Sequence, residues 1–174
     1  MTMEAIANIL TRRSVRTFTD QLISDDDLHL ILKAGMSGPS AVNARDWQFL
    51  VVKDRDMLAR MAEANGRPAE PLKKAAFGIM VLGDQERAFK GAPDYWVVDG
   101  SIAAQNMILA AHALGIGSVW LGTWPQAEKV AKQKELFALP DTVVPHSIIA
   151  FGYPADEGNG RGFFEDDRVH VEQY

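Results

Sequence analysis

Asp99-Gly100-Ser101-Ile102-Ala103-Ala104-Gln105-Asn106-Met107-Ile108-Leu109-Ala110-Ala111-His112-Ala113-Leu114 is the stretch whose reading decides the fold. Its apolar residues go almost all the way round a helix instead of forming one stripe. A helix of that kind is buried on most of its sides. It is therefore predicted to be the central post of the molecule, packed against a sheet and against a further surface. Gly115 follows as a C-cap, and residues 118–121 read as a strand.

Working outward, the flanking segments give helices and strands of ordinary length. Residues 2–10 form a short helix, with Ile6, Ile9 and Leu10 on one face. Ser24 is an N-cap followed by three aspartates in a first turn, where the helix dipole favours them. Leu28, Ile31 and Leu32 continue at helical spacing until Gly35, Gly38 and Pro39 stop the helix. Residues 47–52, 77–82 and 143–151 are dense in β-branched and aromatic residues and read as strands. A short helix spans 56–63, and Pro125 opens another whose apolar face is Ala127, Val130, Ala131 and Phe137. Residues 65–71 and 155–162 read as loops within one domain covering 1–174. The elements intermix without strict strand–helix alternation. This predicts an α+β fold, an α/β/α sandwich around a mixed, mainly antiparallel sheet.

Composition excludes several function classes. The chain has 174 residues and a formal charge of -5, the wrong balance for the broad basic face of a nucleic-acid binder. It has no cysteine, so it has no disulfide, thiolate nucleophile or zinc–thiolate site. No apolar run approaches the roughly 20 residues of a membrane span. The first apolar stretch is short, contains Asn8 and follows Glu4, unlike a secretory signal. The expectation is a cytoplasmic protein.

Against that acidic background, Arg12, Arg13 and Arg16 fall within five residues, around Ser14. Such a cluster is either a seat for one compact anion, gripped by planar guanidinium groups, or a solvated basic turn after a helix end. The loop Gly38-Pro39-Ser40-Ala41-Val42-Asn43 either lets backbone approach a flat ligand or is a plain turn. Gly115, Gly117 and Gly122 do not form a dinucleotide loop, because a helix precedes them and a strand follows. There is no nucleophile elbow. His29, His112, His146 and His170 are widely separated, and Asp25, Asp26 and Asp27 belong to a helix first turn, so no metal site is expected. Ser101 reads as a helix cap. A chain with an anion seat, a flat-ligand loop and no acid–base pair of its own suggests a cofactor that carries the chemistry.

Taken in order, these segments resemble the FMN-dependent nitroreductase family over nearly the full length. Residues 12–18 are similar to its phosphate-binding motif, and 39–43 with Trp47-Gln48-Phe49 to the loop and strand that meet the flavin. Residues 99–111 resemble its central helix and 115–122 the following turn and strand. The resemblance implies bound FMN with NADH or NADPH as co-substrate, in an extensively intertwined homodimer with FMN at the subunit interface. It implies that Arg12, Ser14 and Arg16 hold the phosphate and ribityl chain, with a further contact from Arg13, and that Arg161 completes the seat. It further implies that Pro39, Ser40, Ala41 and Asn43 approach the ring from the partner subunit, while Trp120, Leu121 and Gly122 line its other side. The implied reaction passes hydride from the nucleotide through the flavin to a nitroaromatic, quinone or similar acceptor, in ping-pong fashion. Reductive dehalogenation, flavin fragmentation, metabolite-specific reduction and a non-enzymatic flavin sensor are alternatives within the same resemblance. Two departures stand out. Arg45-Asp46 occupies the place of the family's frequent Gln-Pro, and Lys73 and Lys74 offer two registers for one lysine near the flavin pyrimidine.

Overall fold

A computed structural model describes residues 4–158, 160 and 162–174. Nine main elements follow one another among them: α1 (Ala5–Thr11), α2 (Asp25–Met36), β1 (Trp47–Val52), α3 (Arg55–Asn65), β2 (Phe77–Asp84), α4 (Tyr95–Ala113), β3 (Gly117–Gly122), α5 (Ala127–Leu136) and β4 (Val143–Gly152). The strands form one sheet in the order β1-β2-β4-β3, and every neighbouring pair is antiparallel. Among the described residues, the expected parallel component shrinks to one bridge, Ser14 to Ser118, at the outer edge of β3.

The sheet divides two cores by side-chain alternation. Successive residues of a strand point to opposite faces. Phe77, Ile79 and Val81 of β2, with Ile149 and Phe151 of β4, pack with Leu28, Ile31, Met107 and Ala111 of α2 and α4. Met80, Leu82, Ile148 and Ala150 face the other way, onto Leu58 and Met61 of α3 and Leu72. Both central strands are therefore covered on two sides, which accounts for their unbroken apolar runs. The result is the three-layer sandwich expected.

The central helix is longer than residues 99–114 alone indicated. It begins at Tyr95, and Leu114 closes it before Gly115, whose φ of 76° suits glycine. Ser101 consequently does not cap a helix; its hydroxyl donates to the Val97 carbonyl at 2.7 Å. Pro125 likewise stands ahead of α5 and follows a cis bond from Trp124. Residues 65–71 were expected as loop; Arg67–Lys74 instead form a 3₁₀ segment whose Ala69 and Leu72 are buried on the α3 side of the sheet. The α1 and α3 starts are capped by side chains, Glu4 and Asp54, whose carboxylates accept from first-turn amides.

Candidate functional site

The arginine segment is stitched to the sheet as a strap. The Val15 amide donates to Ser118 O at 2.9 Å, the Thr19 amide to Tyr153 O at 2.9 Å, and the Ala155 amide to Thr17 O at 3.0 Å. Val15 and Phe18 are buried beneath it. A Cβ added to Gly117 would lie 2.8 Å from Val15 Cβ, so the close seating of the strap on β3 requires glycine there.

The strap separates its cations. Arg13 is spent on the 156–158 turn: Nε donates to Gly158 O at 2.8 Å, and Nη2 to Asp156 O at 2.7 Å and Asp156 Oδ1 at 3.0 Å. This partnership holds the Asp156 carboxyl below its ordinary range. Arg13 and Val15 line a cleft of about 680 Å³ with His112, Gly117 and Asp156. Burial, and then the charges of Arg12 and Arg13, push the His112 imidazole down. Arg16 instead lines a separate groove of about 380 Å³ with Asp20, Glu70 and Lys74. Among the described residues, no ion pair or hydrogen bond engages the side chains of Arg12, Arg16 or Lys74. Lys73, by contrast, pairs with Glu70 at 3.1 Å. Of the two candidate lysines, then, it is Lys74 that lies near the strap. The sequence offered both and could not choose, because Pro68 and Pro71 obscure the helical phase that sets the choice.

Beside the strap runs the free edge of β3. Trp120 is 37 % exposed, Gly122 has open space above its Cα, and Leu121 turns into the core. Behind Trp120 lies an aromatic stack that the sequence did not reveal. The His146 ring lies 5.6 Å from Trp120 and 5.9 Å from Trp96, both near-perpendicular, and Trp96 meets Trp124 edge-on. His146 also shares hydrogen bonds with Ser101, Ser147 and the Val97 carbonyl. Burial drives its imidazole down to about 4, so it is neutral. At the far end of β3, Asn65 donates to Gly122 O at 3.2 Å and accepts from Thr123 Oγ1 at 2.9 Å, fixing that corner from α3.

The loop carrying Pro39, Ser40, Ala41 and Asn43 belongs to a different part of the protomer. It is held by α4, through the Ala41 amide, which donates to both Asp99 oxygens at 3.0 Å. Val42, Asn43 and Arg45 all have left-handed backbone, at φ 47°, 58° and 51°. Each non-glycine residue in that region costs about 1–3 kcal/mol. Internal bonds share the load: the Arg45 amide donates to Ser40 Oγ and Arg45 Nε to Asn43 Oδ1. The strap thus meets β3 at Ser118, with Trp120 and Gly122 further along the same strand, Arg16 turned to the groove it shares with Lys74, and residues 39–43 anchored on α4. Arg161 lies outside the described residues. No cluster of metal-ligating side chains occurs among the described residues.

Fold and site together define a member of the nitroreductase family: its model matches residues 9–153, and the chain belongs to that family. A protein of Archaeoglobus fulgidus named provisionally as an NADH dehydrogenase/NAD(P)H nitroreductase is 42% identical over 174 residues, covering 98% of this chain and 99% of its own. A Bacteroides thetaiotaomicron crystal structure with the same provisional name superposes with a TM-score of 0.92 at 37% identity, covering all of both chains. An FMN-dependent nitroreductase of Clostridium difficile superposes at 0.87 with 28% identity, covering 97% of this chain and 99% of that one.

Proposed function

We propose that this chain is an NAD(P)H-dependent FMN oxidoreductase that reduces a nitroaromatic, quinone or similar acceptor. The observation that carries this reading is the pair of cations without a partner among the described residues, Arg16 and Lys74, in one groove of the strap that also bridges to β3. Unpartnered cations suit a phosphate better than a structural ion pair would.

Bound FMN would supply hydride acceptance and delivery. The chain's own work is binding and orientation. Arg12, Ser14 and Arg16 hold the phosphate and ribityl chain. Lys74, three donors on a flexible stem, faces the pyrimidine side, where a fixed positive charge favours the reduced form. Trp120 and Gly122 border the ring, and neutral His146 braces Trp120 from behind. No side chain is assigned a proton-transfer role. Nucleotide and acceptor use the same open face in turn, which gives ping-pong kinetics.

The working unit is a homodimer in which residues 39–43 of the partner subunit complete the ring site. Two features support it. That loop is built away from the strap in its own protomer, and large apolar side chains lie bare on the surface, including Ile6, Ile9, Phe163, Phe164 and Tyr174. No helix among the described residues is long and apolar enough to cross a membrane.

The purified protein tests the reading directly. The expected result is a flavin absorption spectrum that bleaches with NADH or NADPH and recovers on adding a quinone. A preparation that remains colourless after incubation with excess FMN and desalting would overturn it. Bound flavin that neither nucleotide reduces would instead establish a flavin-binding protein without this activity.

A further inference from the structure

We propose that Asp46 and Asp99 hold one proton between them, and that this shared proton keeps the strained 41–45 loop seated, making Asp46 a positioning residue for the flavin-facing backbone. The inference rests on the reading that residues 39–43 meet FMN.

Three observations carry it. First, both carboxyls are deeply buried, at 1% and 2% exposure, and within hydrogen-bonding reach of each other. Second, among the described residues neither Asp46 oxygen receives a well-formed hydrogen bond, and its own backbone amide is the one N–H that acts on it. A buried carboxylate in that state lacks the donors that normally compensate its charge. A proton on Asp46 removes the deficit, because the carboxylic acid then donates to Asp99. Third, Asp99 is the group that grips the Ala41 amide with both oxygens. The proton and the loop therefore meet at one carboxylate.

The surrounding charges favour the same state. Asp84, at the end of β2, is a third nearby carboxylate and adds to the repulsion at Asp46. Its own side chain accepts from Gln48 Nε2 at 2.9 Å, and its amide donates to the Asp46 carbonyl at 2.7 Å. Arg45, the adjacent cation, is turned to Asn43 instead. Among the described residues, no lysine or arginine pairs with Asp46 or Asp99. His146, the nearest titratable group of β4, binds Val97 and Ser101 of α4 and is neutral. Burial first, and the Asp99 charge second, push the Asp46 carboxyl up to about 6, and burial also raises Asp99. Two such carboxyls titrate as a pair. When the pair loses its proton to solvent, two negative charges face each other behind Ala41. The contact that holds three left-handed residues is then weakened.

The test begins with flavin-free protein. Amide resonances of Ala41 and Val42 are followed by proton–nitrogen NMR from about pH 4.5 to 7.5. They should titrate with a midpoint near 6 in the wild type, and that step should be lost in Asp46→Asn, whose amide donates to Asp99 without a proton to lose. Flat wild-type resonances, or an unchanged titration in Asp46→Asn, would overturn the proposal. The wild-type arm decides the matter even if the variant does not fold. In the holoprotein, the ratio of FMN dissociation constants, wild type to Asp46→Asn, should rise about threefold or more between pH 5 and 7.5. The phosphate's own ionisation cancels in that ratio. A constant ratio would refute the positioning role. Failure of both proteins to bind FMN would instead refute the proposed function, with the NMR result still judging the proton pair.

Discussion

Replacing Gly117 with alanine drives a wedge beneath the strap without touching any charged group. The new Cβ would sit 2.8 Å from Val15 Cβ, 2.8 Å from Cγ2 and 2.9 Å from Cγ1. Carbon atoms prefer about 3.5–4.0 Å, so the strap must withdraw by roughly 1 Å. Val15 cannot rotate out of the way, because its Cβ is itself one of the colliding atoms. The backbone must move, and with it the Val15 amide bond to Ser118. Overpacking of this kind costs about 1–3 kcal/mol of stability. The effect on flavin is separable. Losing the geometry of one charge-assisted bond to phosphate costs about 1.5–3 kcal/mol, a rise in Kd of roughly ten- to a hundredfold. Flavin fluorescence quenching measures the affinity, and thermal unfolding of the flavin-free protein measures the stability. Adding Val15→Gly to Gly117→Ala removes all three opposing atoms. The double variant should regain flavin affinity while remaining less stable, because the buried valine is lost. If Gly117→Ala lost stability yet bound FMN as tightly as the wild type, the strap would not be the phosphate seat.

Three further outcomes follow from the same geometry. Arg16→Ala should weaken FMN binding by about 1.5–3 kcal/mol, measured by the same quenching titration, with little change in apoprotein melting; unchanged affinity would remove Arg16 from the seat. Asp54→Ala deletes the side chain that caps α3 by accepting from the Met57 amide at 2.8 Å, and should lower stability by about 1 kcal/mol in urea unfolding without altering the flavin spectrum. His146 is held neutral in the fold and protonates once unfolded, so its contribution is fully present above about pH 6.5 and is lost as pH falls towards 4, by at most about 3 kcal/mol. Asp46 opposes this slope over part of the same window, since its raised carboxyl gives stability that disappears as pH climbs through about 6. Unfolding free energies against pH should therefore be steeper in Asp46→Asn than in the wild type.

What the sequence could and could not disclose has physical causes. The long apolar helix, the strand runs and the Ser24 cap were legible because periodicity and capping are local. The first turn of α4 was not. Tyr95, Trp96, Val97 and Val98 have weak intrinsic helix preference, and the turn forms because Trp96 packs against Trp124 and His146. Arg12, Ser14 and Arg16 stood out as a cluster, yet only the fold shows Arg13 diverted to Asp156 and Lys74 brought up beside Arg16. Asp46 and Asp99 lie 53 positions apart and meet only through packing. Asp46 read in the sequence merely as an unusual neighbour of Arg45. The left-handed run at Val42, Asn43 and Arg45 contains no glycine, so no residue announced it.

The bonds that seat the strap among the described residues reach far along the chain, to Ser118, Tyr153, Ala155, Asp156 and Gly158. During synthesis on the ribosome, its arginines must wait for more than a hundred residues before they have a surface to rest on. Long-range closures of this sort are slow to form. If the strap is the flavin seat proposed above, a chain stalled before β4 emerges would lack the Tyr153 and Ala155 partners that hold it and would not bind flavin.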